Sequence, residues 1–287
     1  MKPDWLKIKP PNTERFNDIK KMIGSLSLHT VCQEAHCPNM SECWSRGNYT
    51  FMIMGDLCTR ACKFCAVRTG YPKKLLDKDE PEKLVRAIKQ TNLSYITLTS
   101  VDRDDLDDGG ASHFAACIRK IKGECDVMVE ALIPDFRGDE IALKRVAESM
   151  PDVIAHNIET VERLQKIRDP RANYTQSLKV LENIKKLDRH IYTKSSIMLG
   201  LGETEEEVIC AMKDLIKRGV DIFTLGQYLK PKNKSLDVKE YISPETFKFY
   251  ESIGRSLGFS YTLSGPFVRS SYLAAEAFTA KEVRNAV

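Results

Sequence analysis

Six of the nine cysteines fall between Cys32 and Cys65. Cys58, Cys62 and Cys65, in DLCTRACKFC, form a Cys-x3-Cys-x2-Cys loop short enough to converge three thiolates on one inorganic centre. The number is informative. Structural zinc takes four tetrahedral ligands, whereas a cubane iron–sulfur cluster held by three thiolates leaves one iron open to a small molecule. Cys32, Cys37 and Cys43, in CQEAHCPNMSEC, form a second triplet with Cys-x4-Cys-x5-Cys spacing and again no fourth thiol nearby. His36 or His29 could supply that ligand, although a lone histidine is more often a surface or satisfied residue. A group from far along the chain is the better expectation, and GPFVRSSYLA offers Arg269, Ser270, Ser271 and Tyr272. Read alone, that tetrapeptide is an ordinary helix cap before LAAEAF.

Loops of this kind need a scaffold. The chain of 287 residues is 42% hydrophobic and 29% charged, the mixture of a folded globular protein. Its 44 Lys and Arg against 40 Asp and Glu leave +4, too little to argue for nucleic acid. No window approaches the roughly 18–20 apolar residues that cross a bilayer, and the first eleven residues lack an apolar signal region. A cytoplasmic protein with reduced thiols is therefore expected, not a disulfide framework. Apolar runs at 49–56, 94–101, 126–133, 152–158, 190–201 and 221–228 read as buried strands. Helix-period stretches lie at 81–90, 111–122, 139–149, 175–187 and 204–218. The alternation predicts an α/β fold, a partial (β/α)6 TIM-like barrel with functional loops at the C-terminal ends of its strands. Residues 1–48 form an N-terminal extension carrying the second triplet, 49–258 the barrel and 259–287 a C-terminal extension, all in one structural domain.

The Cys58, Cys62, Cys65 spacing resembles the signature of radical S-adenosylmethionine (SAM) enzymes, and Phe64 matches the aromatic they place against the adenine. Both triplets and Arg269-Ser270-Ser271-Tyr272 together resemble the lipoyl synthase family. TSVDRDDLDDGGA at 99–111, RDPRANYTQSLKVL at 168–181 and KSSIMLGLGET at 194–204 extend the likeness to nearly the whole chain. The resemblance implies two 4Fe-4S clusters and SAM. Cys58, Cys62 and Cys65 would bind the reducing cluster, and Cys32, Cys37, Cys43 and the Ser271 hydroxyl an auxiliary one, with Ser270 the neighbouring alternative. Serine suits iron less well than thiolate, so that corner would be the labile one. The implied reaction is radical insertion of two sulfurs, taken from the auxiliary cluster, at C6 and C8 of a protein-bound octanoyl group. Implied partners are octanoylated carriers (the glycine-cleavage H protein and 2-oxoacid dehydrogenase E2 domains), a one-electron reductant such as ferredoxin or flavodoxin, and an iron–sulfur carrier, with neither nucleic acid nor membrane.

Ser100 and Asp102 end the second predicted strand where this superfamily binds the cofactor's amino group, although VDRDD stands in place of the usual Gly-Gly-Glu. Lys194, Ser196 and Gln227 are polar residues on apolar strands and need partners. GLGE at 200–203 lacks the spacing of a phosphate loop and reads as a strand-to-helix turn. Cys117, Cys125 and Cys210 read as structural. Lys230, Lys232, Lys234 and Lys239 make a basic loop that could meet an acidic carrier. The rival readings are a radical methylthiotransferase acting on tRNA and a non-enzymatic iron–sulfur electron carrier. No appended basic domain favours the first, and a six-unit scaffold is oversized for the second.

Overall fold

Six apolar runs become six parallel strands: β2 (Thr50–Ile53), β5 (Tyr95–Ser100), β6 (Met128–Leu132), β7 (Val153–Ala155), β8 (Tyr192–Leu199) and β9 (Ile222–Gln227). In the computed structural model, residues 2–7, 13–73, 75–91 and 93–271 are described. Tyr272 and the LAAEAF stretch lie outside them. Two strands join the sheet beyond the six expected: β1 (His29–Thr30), antiparallel to β2, and β10 (Tyr261–Gly265), parallel to β9. A separate ladder pairs β3 (Leu57–Cys58) with β4 (Arg68–Thr69) on either side of the cysteine loop.

The crossovers are α4 (Glu80–Thr91), α5 (Ala111–Glu124), α6 (Glu140–Ala147), α7 (Tyr174–Leu187), α8 (Glu205–Lys217) and α9 (Pro244–Leu257). Local chemistry sets their ends. Asn173 caps α7 by accepting from the Gln176 N–H, and Thr204 with Glu207 forms a capping box on α8. Before it, the GLGE turn is closed by Glu203, whose carboxylate accepts from the Gly200 and Leu201 N–H groups at 2.5 and 2.9 Å. That turn therefore uses its acid as a backbone clamp. Helix α9 and strand β10 were not anticipated, yet Ser243 with Pro244 at the start and left-handed Gly258 at the end are strong helix signals. Strand β10 is short and only partly buried, which blurs its apolar pattern.

The N-terminal extension supplies α1 (Glu14–Ser25), α2 (Val31–Glu34) and α3 (Met40–Ser45). Phe16 of α1 meets the fully buried Trp44 of α3 with ring centroids 5.1 Å apart, which anchors this extension to the barrel's main core. The sheet ends at the short β1, beside β2, and at β10, which are not paired, so the barrel is open between these edges. The segment after β10 crosses that opening. An added Cβ at Gly226 would overlap the Val268 carbonyl, and farther along the Thr50 hydroxyl of β2 donates to Ser271 Oγ at 2.9 Å.

Candidate active site

A cavity of about 380 Å³ opens at the C-terminal ends of the barrel strands. Cys58, Cys62, Cys65 and Phe64 line it, together with Ser100 and Asp102. A smaller pocket of about 40 Å³ is lined by Cys32, Cys37, Cys43, Thr50, Arg269 and Ser271. Cys32, Cys37, Arg269 and Ser271 also line the large cavity, so two thiols of the second triplet face the same space as the first, while Cys43 lines the small pocket alone. Ser270 lines the large cavity but not the small pocket. His36 reaches the large cavity without lining the small one, while His29 faces Glu34 at 3.6 Å.

The loop carrying Cys58, Cys62 and Cys65 is braced by charge. Arg60, nearly fully buried, donates to both Asp135 oxygens at 2.8 and 2.7 Å and to both Asp104 oxygens at 2.9 and 3.0 Å. Although burial opposes its charge, Asp135 and Asp104 hold the guanidinium well above its ordinary pKa, and Arg60 in turn draws Asp135 down to about 2 against the cost of burial. On the loop's other side, Asp169 accepts from the Ala61 N–H at 2.9 Å and its own N–H points to Cys62 Sγ at 3.3 Å. Arg171 pairs with Asp169 and donates to the Thr59 carbonyl at 2.7 Å. None of this brace was assigned from sequence. Its five charges lie scattered from residue 60 to residue 171, and each alone reads as a solvated surface group.

The second triplet sits on short helical turns. Cys37 N–H donates to the Cys32 carbonyl at 3.0 Å, and Cys43 N–H to that of Asn39 at 2.9 Å. Asn39 ties this loop to the C-terminal segment through the Phe267 carbonyl, at 2.5 Å. Burial, with repulsion from Cys37, pushes the Cys32 thiol up to about 11 and Cys43 to about 12. Burial likewise raises Cys58 and Cys62 to about 12. Thiols held protonated in this way ionise when a cation takes the place of their protons, so the donor sets suit metal-bearing groups.

Ser100 Oγ is buried with no hydrogen-bond partner among the described residues, on the wall of the large cavity. Asp102 is closely tied to the cysteine loop: its backbone carbonyl accepts from the Thr59 N–H at 3.0 Å, and Cys58 Sγ lies 3.7 Å from its carboxylate. Burial raises that carboxyl to about 6, with Arg60 opposing. Asn157, Glu159 and Arg168 also face the cavity; none has a site role from sequence, although Arg168 opens the RDPRAN segment. Lys194 is satisfied by Glu130 at 2.8 and 3.0 Å deep in the barrel, and Gln227 binds three carbonyls and the Ile242 N–H. Ser196 donates to the Thr224 carbonyl at 3.2 Å on the cavity wall. In the basic loop, Lys230 pairs with Asp237 and Lys232 donates to the Ala66 carbonyl beside Cys65.

The radical SAM superfamily model matches residues 52–215. Among solved structures, the hydrogenase maturase HydG from Carboxydothermus hydrogenoformans superimposes with a TM-score of 0.60 at 15% identity, covering 86% of this chain and 65% of that one. Methylornithine synthase (PylB) gives 0.56 at 14%, covering 87% and 82%. Fold and three-cysteine loop thus define a radical SAM protein, whose class works with a 4Fe-4S cluster and SAM. Residues 1–37 further match the N-terminal domain of lipoyl synthase. The lipoyl synthase of Thermus thermophilus is 57% identical over 279 residues, 96% of this chain and 86% of the relative. That of Anaeromyxobacter dehalogenans is 52% identical over 285 residues (99% and 97%), and the mitochondrial protein of Rattus norvegicus 52% over 283 (96% and 76%). The chain belongs to the lipoyl synthase family, radical SAM enzymes that insert sulfur. No helix among the described residues is long and apolar enough to cross a membrane.

Proposed function

We propose that this chain inserts sulfur at C6 and C8 of an octanoyl group borne on a lysine of a carrier protein, and that the sulfur comes from a second 4Fe-4S centre held by Cys32, Cys37, Cys43 and Ser271. The observation that carries this reading is the shared lining: three thiols and the Ser271 hydroxyl surround one small pocket continuous in its residues with the cavity of the other triplet. When bound, the reducing cluster with SAM supplies hydrogen-atom abstraction, and the auxiliary centre supplies sulfide.

The chain's own residues bind, orient and seal. Cys58, Cys62 and Cys65 hold the reducing centre; Phe64 takes the adenine face, and the unpaired Ser100 hydroxyl, with Asp102, takes the polar end of the cofactor. Thr50 fixes Ser271 by donating to its Oγ, which leaves a lone pair for a metal. Arg269 places positive charge beside the thiolates of the second pocket. Ile133, Met198 and Leu229 give the large cavity an apolar wall on which an eight-carbon chain can lie with water excluded. A preformed space between the two triplets turns sulfur transfer into an encounter of positioned groups.

The carriers are octanoylated H protein and E2 domains, the electron donor a ferredoxin or flavodoxin, and the renewal of the second centre falls to an iron–sulfur carrier. Lys230 and Lys232 are engaged within the chain, so carrier docking draws on Lys234 and Lys239. The test is anaerobic reaction of an octanoyl-lysine peptide with SAM and dithionite, followed by mass spectrometry. A gain of two sulfurs is expected, with hydrogen count unchanged as the dithiol or reduced by two as the cyclic disulfide. Cofactor cleavage without any sulfur gain would refute the reading.

A further inference from the structure

Glu80, His113 and Cys117 lie apart from both pockets, between α4 and α5, and serve no step above. Glu80 opens α4. His113 and Cys117 are four residues apart on α5 and so share a face. Glu80 Oε2 stands 2.6 Å from His113 Nε2, and one atom from each residue, an oxygen, a nitrogen and a sulfur, fall within 4.8 Å of one another. The Glu80 and His113 side chains are only 7% and 11% exposed, and Cys117 is fully buried.

We propose that this trio binds a divalent cation of the zinc class. The donor set selects it, because calcium and magnesium want oxygen ligands, whereas imidazole with thiolate suits zinc. Charge does too: one doubly positive ion, one carboxylate and one thiolate sum to zero, the balance a buried site needs. On binding, the Cys117 S–H bond breaks, the sulfur binds the ion, and the proton leaves to solvent. Tetrahedral ligand edges run roughly 3.3–3.6 Å, so the Glu80–His113 pair opens and the thiol closes in by shifts on the order of 1 Å. Water completes the fourth position.

The site has a mechanical consequence. Glu80 Oε2 also accepts the Met54 N–H at 3.0 Å, and Met54 has a left-handed backbone (φ 68°) just before Gly55 and the loop that carries Cys58. A cation on Glu80 fixes the carboxylate that holds this turn, so it steadies the root of the cysteine loop without touching the reacting groups.

The test uses the fully cluster-loaded protein under anaerobic conditions, incubated with zinc chloride and then washed with a weak chelator. Wild type should keep about one zinc per chain, and Cys117→Ala and His113→Gln roughly tenfold less or lower, with iron content and circular dichroism unchanged. Cobalt(II) in place of zinc should give a thiolate-to-metal charge-transfer band that disappears in Cys117→Ala and survives in Cys210→Ala. Equal zinc in wild type and Cys117→Ala overturns the proposal, as does a cobalt spectrum without that band. Should His113→Gln lose its fold, Cys117→Ala decides alone, since alanine fits the space of a buried thiol. These readouts do not involve sulfur insertion, so their failure is separate from failure of the function proposed above.

Discussion

The two cysteine triplets are held by different kinds of force. Around Cys58, Cys62 and Cys65 the brace is ionic and multiply bonded: Arg60 locks Asp135 and Asp104 together, and Asp169 with Arg171 clasps the other side of the loop. Around Cys32, Cys37 and Cys43 the buried ties are neutral and single, from short helical turns, the Asn39 amide and the Thr50 hydroxyl, and the Arg46–Glu42 ion pair beside Cys43 is exposed. Charge-assisted bidentate bonds are about twice as strong as neutral ones. A centre that must survive every turnover gains from the first arrangement; one that must be emptied and rebuilt gains from the second.

The largest difference between the triplets should be functional. Cys62→Ala should abolish 5′-deoxyadenosine formation by about three orders of magnitude or more, because no other group on the chain supplies that chemistry. Cys37→Ala should leave cofactor cleavage within about threefold of wild type while product disappears. Chromatography of 5′-deoxyadenosine beside mass spectrometry of the peptide reads both. Loss of cleavage in both variants would erase the distinction.

Next in size is the oxygen ligand. Ser271→Ala should lower lipoyl product by roughly tenfold or more and reduce bound iron, while Ser270→Ala, whose side chain lies off the small pocket, stays within about twofold. Equal effects would place the ligand elsewhere.

The two braces should also differ in stability. Asp135→Ala leaves the Arg60 guanidinium short of a buried partner and should cost about 3 kcal/mol, with iron lost from the first centre. Asn39→Ala removes one neutral hydrogen bond and should cost about 1 kcal/mol. Denaturant unfolding of the two variants measures the difference, and equal losses would contradict it.

The wall of the large cavity adds a pH term. His156 donates from Nδ1 to the Ile133 carbonyl and accepts at Nε2 from Ser177, which itself accepts from Arg168. Burial, aided by Arg168, pushes its pKa down to about 4 from an ordinary 6.5. The unfolded chain therefore takes up this proton first. Stability is full above about pH 6.5 and falls as pH drops toward 4, by roughly 3 kcal/mol in total. His156→Gln should flatten that slope, and an unchanged slope would assign it to another group.

Sequence pattern located the six barrel strands because buried parallel strands read as apolar stretches, unbroken in FMIM and VIA and interrupted only by small hydroxyl residues in YITLTS. It located the thiols because their spacing is local. The brace escaped because Arg60, Asp104, Asp135, Asp169 and Arg171 become neighbours only when four loops converge on one sheet edge. Lys194 kept its reason hidden for the same cause: its partner Glu130 lies two strands away across the barrel.

A centre on Cys32, Cys37, Cys43 and Ser271 that is spent to make product must leave its own sulfur in that product. Protein reconstituted with ³⁴S-sulfide, freed of excess sulfide and given octanoyl-lysine peptide for one turnover, tests it directly. Wild type should give a product carrying two ³⁴S atoms, and Cys37→Ala no sulfur gain. Product bearing natural-abundance sulfur, or labelled product from the variant, would contradict it.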